Sequence, residues 1–186
     1  MRVKSRWNKQ AREQSLEDIA KAVALICWQI ATEGVLNLEN QGSQTRSHEH
    51  RLHIAGEFLA FLLQVSDRLV YAQMNDEQRQ QFVTTLGLRM ADIYADNQRD
   101  ISATPGDYRK IFIDLLNQRA EDYSHFTFRH GEAGFDFLRY FGEQVETLME
   151  EKPWVSQQIV GVEGPEAIKI LSGGIKNLFR SSKRSV

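Results

Sequence analysis

Little in this sequence can staple a fold covalently. Cys27 is the only cysteine, which excludes an internal disulfide and a cysteine-based zinc site. Between Ile26 and Trp28 it reads as a small core residue in a reducing compartment, not as a reactive thiol. There are three prolines, the first at Pro105, and strand-like alternation is sustained nowhere. Both shortages favour long helices. Long hydrophobic runs are missing too. The longest, Ala22 to Trp28, is far below the roughly 20 residues of a spanning helix. The N-terminus is basic, as in a secretion signal, but Glu17, Asp18 and Lys21 interrupt the apolar stretch that such a signal needs. The expectation is a cytoplasmic chain without a transmembrane segment. No Gly-x-Ser-x-Gly elbow, phosphate loop or dinucleotide fingerprint occurs, so no nucleophile or nucleotide site is indicated.

What is present is ordinary globular material. A chain of 186 residues with 41% hydrophobic and 26% charged side chains suits one folded domain, residues 1–186, and argues against disorder. The net charge of −2 conceals an asymmetry. Residues 1–12 and 176–186 carry nine basic side chains and no acid, while the segment between carries 14 basic and 25 acidic side chains, a net of −11. The chain is an acidic body with a basic N-terminal arm, about 1–14, and a basic C-terminal tail, about 176–186.

Helical periodicity dominates the body. Ser15 caps a first helix to about Leu38, with Asp18 completing an approximate capping box and Ile19, Val23, Ile26 and Ile30 forming one stripe. A second helix, about His48 to Met74, carries Leu52, Leu59 and Leu62 in one row and Ile54, Phe58, Phe61 and Val65 in the next. Asn75 caps a third, ending near Arg99, with Phe82, Leu86, Met90, Ile93 and Tyr94 inward. Thr104 before Pro105 marks a fourth, with Tyr108, Ile111, Phe112, Leu115 and Leu116 as its core face. A break near Arg129 to Gly134 precedes a fifth helix, about Phe135 to Glu150. Pro153 opens a short sixth segment and Gly164-Pro165 a last one. The fold class predicted is all-α: an up-and-down antiparallel bundle of about four main helices plus shorter C-terminal ones.

Two constellations carry candidate chemistry. His53 and Glu57 share a face of the second helix, Glu121 and His125 lie one turn apart on the fourth, and Glu33 falls on the apolar stripe of the first. A carboxylate aimed at a core needs a partner. Convergence of these five would suit iron, manganese or zinc, as in carboxylate-bridged bundle sites. The repeated Glu-x-x-His of such sites is absent, and solvated helix faces are the simpler reading. No cofactor is required.

The second constellation is aromatic and basic. Tyr123 to Phe141 holds 7 of the 18 aromatics in 19 residues, too many for one inward face. The simplest reading is a core plug between two helices, and the alternative is a surface for a partner or a small apolar ligand. Trp7, Phe128, Phe137 and Phe179 are the candidate contact rings. The leading expectation is a non-catalytic interaction protein that binds itself or another protein, its acidic body complementing its basic ends. Peripheral contact of those ends with an anionic membrane is a further reading. Nucleic acid fits least, because the body repels phosphate and no reading module is apparent.

Overall fold

The wide apolar face of the first helix predicts that it is the central one, but the second, apolar around more of its circumference, takes that place. The computed structural model, which describes residues 15–42, 45–150 and 152–183, puts it there. The chain forms α1 (Leu16–Asn40), α2 (His48–Val70), α3 (Asp76–Ile101), α4 (Tyr108–Ser124), β1 (Phe128–Arg129), β2 (Glu132–Ala133), α5 (Phe135–Leu148), α6 (Pro153–Gln158) and α7 (Gly164–Lys183). Every residue of α2 from Ile54 to Ser66 is buried, and α2 packs on α1, α3, α4, α5 and α7. The fold is an all-α helical bundle.

Caps set the starts of the first three helices. Ser15 and Asp18 form a reciprocal capping box on α1, Asn75 and Gln78 another on α3, and the Ser47 side chain accepts from the His50 N–H on α2. The expected start at Thr104-Pro105 is displaced. Residues 102–107 form a loop in which the Tyr108 hydroxyl donates to Ser102 Oγ at 2.8 Å, and Asp107 caps α4 by accepting from Lys110 N–H at 3.1 Å. Gly106 resists helix and Asp107 caps well, so the helix begins after both. Ile111, expected inward, is 59% exposed on α4.

The break after α4 is a hairpin. His130 and Gly131 both have positive φ, 56° and 83°, the backbone of a two-residue turn whose twist suits paired strands. Phe128 pairs with Ala133 and Arg129 with Glu132. The last two helical segments are not separate. Between α6 and α7 the chain makes a π-helical turn, Ile159–Glu163, and Gly164 N–H bonds Ile159 O. Pro165 lacks the donor that a regular α-turn would need there, and the wider turn accommodates it.

Aromatic plates lock the layers around α2. Phe61 stacks on Phe141 of α5 at 4.2 Å, and Phe58 meets the same ring edge-on at 4.8 Å. On the other side Tyr94 of α3 stacks on Phe112 of α4 at 4.2 Å. A Cβ at Gly34 of α1 would lie 2.4 Å from the Phe58 ring, so only glycine lets α1 approach α2 there.

By length and composition α1 is apolar enough to cross a membrane, the one such helix among the described residues. The expectation of no such segment rested on uninterrupted runs, which Lys21 and Gln29 break without making the helix polar. Half of its apolar window is buried in the bundle.

Two substitutions test this packing. Gly34→Ala should cost about 1–3 kcal/mol by overpacking Phe58, although alanine is the better helix former. Phe58→Ala should cost about 3–5 kcal/mol. Urea unfolding measures both, and a stabilised Gly34→Ala would contradict the close approach.

Candidate functional site

The five residues proposed for a metal do not converge. Glu33, His53, Glu121 and His125 are exposed, and only Glu57 is buried. Among the described residues no three His, Cys, Asp or Glu side chains are grouped to hold a metal. Glu33 misses the core because the buried face of α1 passes from Ile30 through Ala31 and Gly34 to Val35 and Leu38, leaving residue 33 outside.

Glu57 has a different partner. It sits in the buried stretch of α2, where a lone carboxylate would be costly. Arg119 of α4 reaches it with two parallel bonds, Nε to Oε2 at 2.8 Å and Nη2 to Oε1 at 2.7 Å. Arg119 Nη1 also donates to the Tyr140 hydroxyl at 3.3 Å and to Asp122 Oδ2 at 3.4 Å, and Tyr140 donates its own proton to Asp122. Burial, then the bond to Asp122, pushes the Tyr140 phenol well up. The hydrogen bond from Arg119 to Glu57 raises the guanidinium further. Both Glu57 oxygens and all three Arg119 nitrogens are engaged, so the arrangement locks α2, α4 and α5 together. Sequence reasoning missed Arg119 because it lies off the face of the fourth helix that carries Glu121 and His125.

The aromatic segment is mainly core. Phe137 is fully buried against Phe61 and Tyr123, at 5.7 and 4.7 Å, which removes it from the contact candidates. Phe135 takes the outside instead, 67% exposed. Phe128 is half-buried on β1, with its ring 6.1 Å from Phe137. Phe179 is half-buried on α7, 6.3 Å from Phe82. Trp7 and the basic arm 1–14 lie outside the described residues. Of the tail, Lys176 and Arg180 stand exposed on α7.

The feature that sequence reasoning did not locate is an open apolar groove of about 350 Å³ where α1, α2 and α3 meet. Trp28, Val35 and Leu36 of α1 form one wall, Leu52 and Ala55 of α2 the floor, and Asn97 and Ile101 of α3 the other wall. Leu36 and Ile101 are 45% and 41% exposed, and Leu25, three turns before Leu36 on α1, is 51% exposed. At the rim Arg51 donates to Glu39 through Nε at 2.6 Å and again through Nη2, while Thr45 also donates to Glu39. The hydrogen bond from Arg51 holds the Glu39 carboxyl below its ordinary value. A larger cleft, about 640 Å³, lies between the hairpin and α7. It is more polar, and its Lys169 pairs with Glu166 at 3.6 Å.

The class these features define is an all-α bundle with an apolar surface groove. Comparison with protein-family models, curated proteins and solved structures found no match to the chain.

The interior makes two predictions. Arg119→Met should destabilise by about 3–5 kcal/mol by stranding Glu57, and adding Glu57→Met should recover much of that loss. Chemical unfolding of the single and double variants checks it, and equal losses would contradict the lock. Burial pushes the Cys27 thiol from 9.0 to about 12, partly offset by its hydrogen bond with Ser66. A folded-state value raised above the unfolded one gives stability that is full below the unfolded value and lost above it. Stability should therefore begin to fall as pH passes about 9, where the unfolded thiol ionises. Cys27 should resist iodoacetamide until the protein unfolds, and Cys27→Ser should flatten the alkaline loss.

Proposed function

We propose that this protein is a non-catalytic helical binding protein whose recognition surface is the groove between α1, α2 and α3. The observation that carries this reading is the coincidence of an apolar groove with exposed apolar side chains on its lips. Leu36 and Ile101 keep much of their surface in water beside Trp28, Val35 and Leu52, and Leu25 extends the apolar surface along α1. Single exposed leucines are ordinary on a protein surface, but a cluster around a concave site marks a place where something docks. The polar rim of Arg51, Glu39 and His48 suits an interface whose apolar centre is ringed by charge.

The groove is open along its length, so it suits a side chain or helix face better than a small molecule that must be largely enclosed. The interior polar cluster lies apart from the groove: it ties α2 to α4 and α5, and shares only α2 with the groove walls.

The neutral dye Nile red, titrated into dilute protein, tests the groove. Leu36→Ser and Ile101→Ser should each weaken dye binding about tenfold, roughly 1.4 kcal/mol, while Ile111→Ser on the far side of the α3–α4 layer leaves it unchanged. Equal binding by all three variants would place the apolar site elsewhere and remove this reading.

A further inference from the structure

The exposed face of α1 reads as its own complement when reversed. Positions 18, 21, 25, 29, 32, 36 and 39 follow one another at helical spacing along one side. In order they are an acid (Asp18), a base (Lys21), a leucine (Leu25), two uncharged polar residues (Gln29 and Thr32), a leucine (Leu36) and an acid (Glu39), and Arg51 lies beyond, bonded to Glu39. Between Lys21 and Glu33 the helix carries no charge at all. The leucines are 11 residues apart, three turns or about 16 Å.

We infer that the occupant of the groove is a second copy of this chain, docked by antiparallel pairing of α1 with α1 of the partner about a twofold axis between Gln29 and Thr32. This inference rests on the binding reading above and names the partner. In that register Leu25 of each protomer meets Leu36 of the other and fills the groove beside Ile101, and Gln29 faces Thr32. Lys21, which pairs with Glu17 on its own helix, falls beside the other protomer's Glu39, and Asp18 falls near the end of α1, where Arg51 stands bonded to Glu39. Every charge on the seam thereby faces its opposite. A parallel pairing would set leucine on leucine but acid on acid and base on base. The antiparallel arrangement also places each helix N-terminus near the other's C-terminus, which favours it electrostatically. A twofold interface requires just this self-complementarity: where one residue touches another, the reverse contact occurs too. Burial of the uncharged middle supplies the holding term, and the exposed ion pairs fix register more than affinity.

Light scattering across a concentration series, combined with disulfide mapping, tests the inference. The wild-type chain should have twice its 21.4 kDa mass. Leu25→Asp and Leu36→Asp should each give a folded monomer by circular dichroism, and Ile111→Asp should remain a dimer. Because these variants can fail to fold, separately purified Leu25→Cys and Leu36→Cys are also mixed and oxidised mildly. They should form the mixed 25–36 disulfide in large excess over 25–25 and 36–36, since like positions lie about 16 Å apart, beyond the roughly 7 Å Cα limit of a disulfide. Cys27 is buried and should not compete. A monomer at every concentration, a dimer indifferent to both aspartates, or a dominant 25–25 bridge would overturn the inference. A monomer that binds lipid vesicles through Leu25 and Leu36 would overturn it in favour of a membrane surface. A monomer that still binds dye in the groove would leave the binding reading standing with an unlike partner, whereas loss of groove-specific dye binding would remove both.

Discussion

The enclosure of α2 governs the remaining structure. A helix that is apolar on every side must be covered on every side, and five other helices are placed by that demand. Glu57 lies in the middle of the enclosed stretch, so one of those helices must bring a cation to it. Arg119 answers this need, and its remaining donors tie in Asp122 and Tyr140, fixing α4 and α5 relative to α2. A buried pair of this kind does not add stability over an apolar core of equal volume, but once present it penalises any arrangement that separates its members. The aromatic plates follow the same logic. Phe58 and Phe61 need flat neighbours, and Phe141 of α5 supplies one ring to both.

Covering α2 leaves α1 with a divided role. Its inner face, from Ile19 through Cys27 to Leu38, is committed to the core. Its outer face has no such commitment and is more polar, but it carries no charge between Lys21 and Glu33, and the helix as a whole is apolar enough to span a membrane by length and composition. A solvated outer face would ordinarily be laced with charge. Here charge is confined to the two ends of the stripe and the centre is leucine, glutamine and threonine, a distribution that suits an interface with an apolar centre and a charged edge. The groove extends this surface sideways onto α2 and α3.

Much of the fold was legible because its signals are local. Ser15, Asn75 and the rows through Phe58, Leu62, Phe82, Phe112 and Phe141 follow from capping chemistry and helical period, and all five of those core residues are buried. What escaped depends on contacts between distant segments or on fine backbone geometry. The hairpin has only two residues in each strand, too few for alternation to show. The fourth helix starts at Tyr108 because Asp107, a better cap, outcompeted Thr104. The π-turn resolves a proline that read as a new beginning. Glu33 was assigned inward by continuing the stripe from Ile30 in steps of three, whereas the buried face continues in steps of four. Glu57 was read as part of a polar face with His53 and as a metal ligand, whereas it is the buried carboxylate and its partner is a cation. Its cation lies 62 residues away, a pairing that no spacing rule reports. The groove was not legible at all, since it arises only where three helix ends meet.

The central claim is that the outer face of α1 is a seam for a second copy in the antiparallel register. Its most direct measurement is an isotope-filtered NMR experiment on a mixture of methyl-labelled and unlabelled protein, which detects only contacts between protomers. The account predicts cross-protomer Overhauser effects from the Leu25 methyls to Leu36 and Ile101, with none linking Leu25 to Leu25. Their absence at concentrations where the protein is fully folded, or a dominant Leu25-to-Leu25 contact, would contradict it.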